Sequence, residues 1–262
     1  MGLPLTVTFL GTGTSQGVPR IGCKCDVCTS TDPRDNRTRS SIYISTPECA
    51  WVVDTGPDFR MQCLREKIDR LDAAVYTHSH TDHKLGFDDL RPFCPNGREL
   101  PVYASAETME DLRRMFGYAF SVQAVWPGWV KPRPHLIDGP FELGGIRLTP
   151  FPLKHGRAFV YGYLLEYQGR KLVGYFSDCK EVPPAVAERI SGVEALIIDA
   201  LRYKDHPTHL SVSEALEVAS RVKPKATWFT HLCDEFGRHG NEEAKLPEGT
   251  RIAYDGLKLE FR

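Results

Sequence analysis

Four side chains of metal-binding type crowd into His78-Ser79-His80-Thr81-Asp82-His83. Neutral imidazole and carboxylate suit Zn, Mn or Fe alike, and several ligands on one short segment lower the entropy cost of assembling a site. In an extended chain His78 and His80 share a face, whereas the adjacent Asp82 and His83 must diverge. The run therefore splits into two pairs, one for each of two ions. It follows Asp72-Ala73-Ala74-Val75-Tyr76, a short apolar stretch that reads as a buried strand, so the ligands sit where a strand opens into a loop. Hydrolysis at a binuclear metal centre is the chemistry this pattern predicts.

Further ligand types occupy the same kind of position. His155 follows Leu148-Thr149-Pro150-Phe151-Pro152-Leu153, Asp178 follows Val173-Gly174-Tyr175-Phe176-Ser177, and His231 follows Thr227-Trp228-Phe229-Thr230. Each is a polar residue just beyond an apolar run, so the ends of several strands are expected to converge on one place. The two oxygens of a carboxylate can bridge two ions, and Asp178 is assigned that role.

The elements that must position these residues are mostly short β-like runs: Leu5 to Leu10, Ser41 to Ser45, Ala50 to Val53, Ala73 to Tyr76, Ile146 to Phe151, Tyr161 to Glu166, Lys171 to Phe176, Ala195 to Ile198, Ala226 to Phe229 and Lys258 to Phe261. Helical patterns fall at Ala106 to Phe116, Pro183 to Ile190 and Val212 to Val222, the last with apolar positions at Val212, Leu216, Ala219 and Val222. The fold class is α/β. Between Gly117 and Pro140, Trp126, Trp129 and four prolines (127, 132, 134 and 140) predict a long irregular covering loop. No linker or repeat stands out, and residues 1–262 are read as one hydrolase domain.

A chain of 262 residues buries a substantial core without staples. Its net charge of -1 and pI near 6.8 supply no basic field for a nucleic-acid groove or an anionic membrane. No apolar run approaches the roughly 20 residues that cross a bilayer, and Met1-Gly2-Leu3-Pro4-Leu5 lacks the form of a signal peptide. The expected compartment is the cytoplasm, where the eight cysteines stay reduced. Cys23, Cys25 and Cys28 then read as thiolates for one tetrahedral Zn in a loop spanning about residues 20–40, with a fourth ligand from elsewhere. Cys49, Cys63, Cys94 and Cys179 are scattered and read as small apolar residues.

With these residues in view, the chain resembles the metallo-β-lactamase superfamily, whose His-x-His-x-Asp-His motif is followed by a distant His, Asp and His. The resemblance runs over nearly the whole chain and implies a four-layer αββα sandwich. Asp54 in Trp51-Val52-Val53-Asp54-Thr55-Gly56 matches the superfamily's buried aspartate that supports the site from behind its ligands. Within the superfamily the chain is similar to the phosphoribosyl 1,2-cyclic phosphate phosphodiesterases of the carbon-phosphorus lyase pathway, and more loosely to the tRNA 3′-processing endonucleases. Three segments carry this narrower likeness: Gly11-Thr12-Gly13-Thr14-Ser15-Gln16-Gly17-Val18-Pro19 leading into the Cys cluster, His155 followed by Tyr161-Gly162-Tyr163-Leu164-Leu165-Glu166, and His209 within residues 199–216. His209 matches the family's catalytic histidine that is not a ligand. The family's fourth Zn ligand, a histidine, corresponds here to Asp234, with Cys233 and His239 near enough in sequence to compete.

The resemblance implies two divalent ions, Mn or Zn, one held by His78, His80 and His155 and the other by Asp82, His83 and His231, with Asp178 between them, plus one structural Zn. The implied reaction is attack of a metal-activated hydroxide on a small cyclic phosphodiester, with Asp82 among the catalytic residues, His209 as the general acid and His206 as its competitor. Lys154, Arg157 and Arg238, and less directly Arg37 and Arg39, are candidates to contact a terminal phosphate. The implied partner is a small-molecule phosphodiester, in a possible homodimer, with no membrane and no nucleic acid. The alternatives are a tRNA 3′-processing-type endonuclease, the same fold acting on a thioester or lactone, and a metal-binding scaffold of a cofactor-biosynthesis pathway that does not turn over.

Overall fold

A computed structural model describes residues 5–121 and 128–262 of the chain. The strands β1 (Leu5–Gly11), β2 (Ser41–Ser45), β3 (Ala50–Val53), β4 (Ala73–Val75), β5 (Leu100–Ala104) and β6 (Pro132–Leu136) lie in one sheet. A second sheet contains β7 (Phe141–Leu143), β8 (Ile146–His155), β9 (Ala158–Tyr167), β10 (Arg170–Phe176), β11 (Ala195–Asp199), β12 (Ala226–Thr230) and β13 (Thr250–Ile252). The last strand, β14 (Lys258–Phe261), returns to the first sheet, whose order is β14-β1-β2-β3-β4-β5-β6, while the second runs β13-β12-β11-β10-β9-β8-β7.

Side chains from both sheets meet in a shared core: Phe9, Ile44, Trp51 and Val53 from one, Leu148, Tyr163, Tyr175 and Ile197 from the other. The outer face of the first sheet is covered by the helices Phe59–Glu66 and Ala106–Met115, that of the second by Pro184–Arg189 and Val212–Val222. The layers are therefore helix, sheet, sheet, helix, the expected αββα sandwich. The helix Val212–Val222 starts where Ser211 and Glu214 form a reciprocal capping box, and it stops at Lys223 in the left-handed conformation. Its buried stripe is Val212, Ala215, Val218 and Val222; Leu216 and Ala219, expected at the centre of that stripe, pack only at its margin.

Strand direction explains how distant segments meet. β3, β4, β5 and β6 are mutually parallel, as are β10, β11, β12 and β13. Two antiparallel steps make β1 parallel to β3 and β8 parallel to β10. The carboxyl ends of β1, β3, β4, β8, β10, β11 and β12 consequently open on the same end of the sandwich.

The stretch expected to be a covering loop is only partly irregular. It contains a short helix, Gly117–Phe120, and the strand β6, which carries Pro132 and Pro134. Proline removes a ladder donor, and β6 tolerates it because it is the edge of its sheet. Trp126 and Pro127 lie outside the described residues.

Candidate active site

The chain leaves β3 into Asp54, a non-glycine residue in the left-handed region at φ 66°, and leaves β12 into His231 at φ 60°. Such backbone costs of order 1–3 kcal/mol and persists where surrounding contacts over-determine it. For Asp54 those contacts are visible: the buried carboxylate accepts from the Thr77 amide at 2.8 Å and the Thr77 hydroxyl at 2.7 Å, and its Oδ2 lies 2.7 Å from His83 Nδ1. The next turn is equally close, because a Cβ built on Gly56 would stand 2.2 Å from the Asp82 carbonyl oxygen. Only glycine lets this loop approach the segment that carries Asp82 and His83.

Four histidines are oriented in one way. His83 Nδ1 is held by Asp54, and His155 Nδ1 donates to the Thr208 carbonyl at 2.9 Å. The Thr77 hydroxyl, already donating to Asp54, accepts from His78 Nδ1 at 2.9 Å. The Ser40 hydroxyl donates to the Gly13 carbonyl and accepts from His231 Nδ1 at 3.1 Å. Outer partners thus fix each Nδ1 as the protonated nitrogen and turn each Nε2 inward.

The inward atoms converge. Ligand atoms of His78, His80 and His155 lie within 4.8 Å of one another, as do those of His78, His83 and Asp178. Asp178 Oδ1 lies 3.1 Å from His231 Nε2 and its Oδ2 3.4 Å from His83 Nε2, and its carboxylate also groups within 4.8 Å with His78 on one side and with His155 and His209 on the other. Asp82 Oδ2 is 3.2 Å from His83 Nε2. The seven residues singled out in the sequence therefore form one cluster around Asp178, with His80 alone exposed.

A divalent cation fits this donor set. His78 Nε2, His83 Nε2 and Asp178 Oδ2 are buried without any hydrogen-bond partner, an expensive state for polar atoms that coordination relieves. Burial pushes His78 well below the ordinary histidine range and His231 down to about 3, the neutral form that binds metal. At His83 burial opposes the charge, but the carboxylates of Asp178, Asp82 and Asp54 overcome it and raise the imidazole well above its usual range. The field at this place favours positive charge.

His209 lies beside the cluster, its ring 4.7 Å from that of His155 and 4.8 Å from that of His231. Its Nδ1 is 2.7 Å from Oδ2 of Asp199, the last residue of β11 and fully buried. Burial drives Asp199 up to about 7, while the Asp199 carboxylate outweighs burial and raises His209 above its ordinary value. His206, the competitor, has no such carboxylate; its Nδ1 faces the amide and hydroxyl of Thr208. His209 also lines a polar cavity of about 180 Å³ shared with Gln16, Arg20, Arg202 and Asp234.

The Cys loop arrives at the far wall of that cavity. Ligand atoms of Cys23, Cys25, Cys28 and Asp234 lie within 4.8 Å of one another, and Asp234 Oδ2 is 3.5 Å from Cys23 Sγ and 3.7 Å from Cys25 Sγ. Three sulfurs and a carboxylate at this spacing suit one tetrahedral Zn. Of the competitors, His239 is buried elsewhere, its Nδ1 3.2 Å from the Arg37 guanidinium and its amide on Asp35. Cys233 stands outside the cluster, and burial pushes its thiol up to about 11.

Among the proposed phosphate contacts, Arg37 is excluded. It is buried and spent on the Thr12 hydroxyl, the Ala253 carbonyl and His239, because it ties the loop after β1 to the chain after β13. Arg39 is paired with Asp58, and Arg238 donates to the Asp26 carbonyl. Lys154 and Arg157 are exposed at the β8–β9 turn. Sequence reasoning missed Asp199, Ser40 and Arg20. Asp199 alone had a signal, since it ends the apolar run Ala195–Ile198 as Asp178 follows its own.

Residues 51–232 match the model of the β-lactamase superfamily domain, and the chain belongs to the metallo-β-lactamase superfamily. Within it, the chain is similar to a diphosphatase of the PhnP family, with 39% identity and a TM-score of 0.90 over 99% of this chain and 98% of that one. It is 35% identical over 259 residues to an octanoyltransferase of Porphyromonas gingivalis, 95% of this chain but only half the length of that relative. It is also 28% identical to the coenzyme PQQ synthesis protein B of Methylobacterium radiotolerans over 74% of this chain and 72% of that protein. Among the described residues no helix is long and apolar enough to cross a membrane.

Proposed function

We propose that this protein is a metal-dependent phosphodiesterase acting on a small phosphodiester, with 5-phosphoribosyl 1,2-cyclic phosphate as the first substrate to test. The observation that carries this reading is the common orientation of His78, His83, His155 and His231, each held at Nδ1 by an outer partner so that Nε2 is free to coordinate. In this reading His78, His80 and His155 would hold one ion and Asp82, His83 and His231 the other, with Asp178 available to either. Two bound divalent cations would lower the pKa of water toward about 7 and neutralise the anionic oxygens of the diester.

The chain's own groups do the rest. Water adds across one ester P–O bond: a new P–O bond forms, the ester bond breaks, and the departing oxygen needs a proton. His209 carries that proton on Nε2, because Asp199 engages Nδ1 and stabilises the imidazolium. Arg20 borders the cavity beside His209, with its guanidinium 3.1 Å from the Asp234 carboxylate, and would supply positive charge to a phosphate on the leaving side only in competition with that partner. Cys23, Cys25, Cys28 and Asp234 would hold a structural Zn that keeps this wall in place. Similarity to a diphosphatase supports hydrolysis at phosphorus over thioester or lactone cleavage.

The test is phosphorus NMR of Mn-loaded protein with 5-phosphoribosyl 1,2-cyclic phosphate, with Asp82→Ala as control. Conversion to a ribose bisphosphate, lost in the variant, is the expected outcome. Absence of conversion with metals shown to be bound would remove this substrate.

A further inference from the structure

Of the two left-handed turns at the cluster, the one at Asp54 is held by its own carboxylate on Thr77 and His83, whereas the one at His231, φ 60°, must be held from outside the residue. The His231 ring has one outer bond, to the Ser40 hydroxyl. Ser40 and the backbone beside His231 are fixed in turn by three chain segments that lie side by side. Gly13 is bridged to Arg39 on one side and to Leu232 on the other. The Gly13 amide donates to the Thr38 carbonyl at 2.8 Å, and the Ser40 amide donates back to the Gly13 carbonyl at 3.0 Å. On the other side the Leu232 amide donates to the Thr12 carbonyl at 2.9 Å, and the Thr14 amide to the Leu232 carbonyl at 3.1 Å. A Cβ built on Gly13 would stand 2.7 Å from the Arg37 carbonyl oxygen, so the segments come this close only because glycine lies between them.

We propose that Asp255, in the turn before β14, is the positioning residue for His231, acting through Thr12 and Thr38 on both its backbone and its ring. This inference rests on the reading that His231 holds the second ion. The Asp255 side chain is 7% exposed. Its Oδ1 accepts from the Thr12 amide at 2.9 Å and the Thr12 hydroxyl at 2.8 Å. Its Oδ2 accepts from the Thr38 amide at 2.9 Å, the Thr38 hydroxyl at 2.6 Å and the Arg65 guanidinium at 3.2 Å. One oxygen therefore leads through Thr12 to the Leu232 amide and the backbone beside His231. The other leads through Thr38 to Ser40, whose hydroxyl meets the ring.

The clamp is mounted on the strands it serves. The Gly256 amide donates to the Phe9 carbonyl of β1, and the Ala253 amide to the Phe229 carbonyl of β12. The Thr12 hydroxyl also accepts from the buried Arg37 at 2.9 Å, so a carboxylate and a guanidinium from distant segments close on the same residue. Five donors converge on the two Asp255 oxygens, and an asparagine would turn its own NH₂ group toward at least two of them. Charge, not only shape, is what this position supplies.

The experiment follows the histidine ring nitrogens by NMR while Zn competes with a chelator, so that occupancy at His231 is read apart from occupancy at His78, His80 and His155. Asp255→Asn should weaken the ion at His231 roughly ten- to hundredfold, as loss of an outer partner does, and leave the other ion essentially unchanged. Thr38→Val, which keeps both shape and carboxylate, should do the same to a smaller degree, and it stands in for the asparagine variant if that one does not fold. In a Ser40→Ala background the loss from Thr38→Val should vanish, because the two act along one path. A residue that serves stability alone would lower Tm, spare the ion at His231 and add in full to Ser40→Ala; that result overturns the proposal. If Zn shifts no ring nitrogen even in wild type, the metal-centre reading is what fails. Exchange of the His231 Nδ1 proton with solvent, faster in Thr38→Val than in wild type, then still supports the clamp, and equal exchange overturns it.

Discussion

The two clusters of metal-ligand residues are built on opposite principles. Around Asp178, His78, His155 and His231 stand at or just beyond strand ends and Asp82 and His83 in the short helix Thr81–Lys84; His78, His83 and His231 are buried, and each is turned inward by a hydrogen bond that belongs to the scaffold. In the Cys loop the residues stand on a segment without strand or helix, Cys25 is exposed, and the sulfurs find their partners in one another, in Arg20 and in an aspartate 211 positions away from Cys23. The first arrangement exists before metal arrives. The second has little to hold it except metal, so its binding energy would be spent on ordering the loop. The same coordination chemistry can therefore complete a preformed site or create local structure.

That contrast fails most visibly if Asp178→Ala unfolds the protein. The expected outcome is loss of catalytic metal by mass spectrometry and of all measurable turnover, with unchanged far-ultraviolet circular dichroism, because the sheet ends persist without the bridge. Cys25→Ser should do the reverse: the catalytic metal stays, one equivalent of Zn is lost, and amide exchange accelerates within residues 20–36. A collapse of both sites in either variant would merge what the geometry keeps apart.

Proton delivery sharpens the comparison at the cavity between the clusters. His209→Ala should lower kcat by about 10²–10⁴ on a diester with a poor leaving group and far less on a p-nitrophenyl ester, whose leaving oxygen needs no proton. Equal losses on both substrates would make His209 a structural residue.

That these side chains would gather in one cluster was legible in the sequence because several of them follow apolar runs, and strand ends that share one direction must meet. His155, Asp178 and His231 could be collected this way although 76 positions separate the first from the last. Asp199 escaped by ending its strand instead of following it. Arg37 was kept as a remote candidate for a phosphate contact, since nothing local reveals that a charged residue will be buried against Thr12 and the Ala253 carbonyl. The short strands β5, β7 and β13 carry too little pattern to be read alone, and the prolines of β6 signal a loop wherever the edge position is unknown. The helical stripe of Val212–Val222 was displaced because which face meets the sheet is decided by packing.

A preformed site should also depend on what stands behind it. Asp54→Asn keeps the shape but weakens the acceptor for Thr77 and His83, and metal affinity should fall by about 10–100-fold in a chelator competition. Unchanged affinity would mean that the left-handed turn at Asp54, not its charge, orients the ligands.

Asp234, the proposed fourth ligand of the Cys loop, offers the finest test. Asp234 Oδ2 is shared between the sulfurs and Arg20, whose guanidinium lies 3.1 Å away. A carboxylate committed in part to an arginine is a weaker anchor than an imidazole, which would bind Zn without competing for that cation. Asp234→His should retain Zn severalfold longer against a chelator and slow amide exchange in the loop, while Asp234→Ala should release it sooner. Arg20, freed of its partner, would alter KM for phosphate-bearing substrates by less than Zn retention changes. If the alanine variant holds Zn as firmly as wild type, Asp234 is Arg20's partner and not a ligand, and the loop is held by its three thiolates alone.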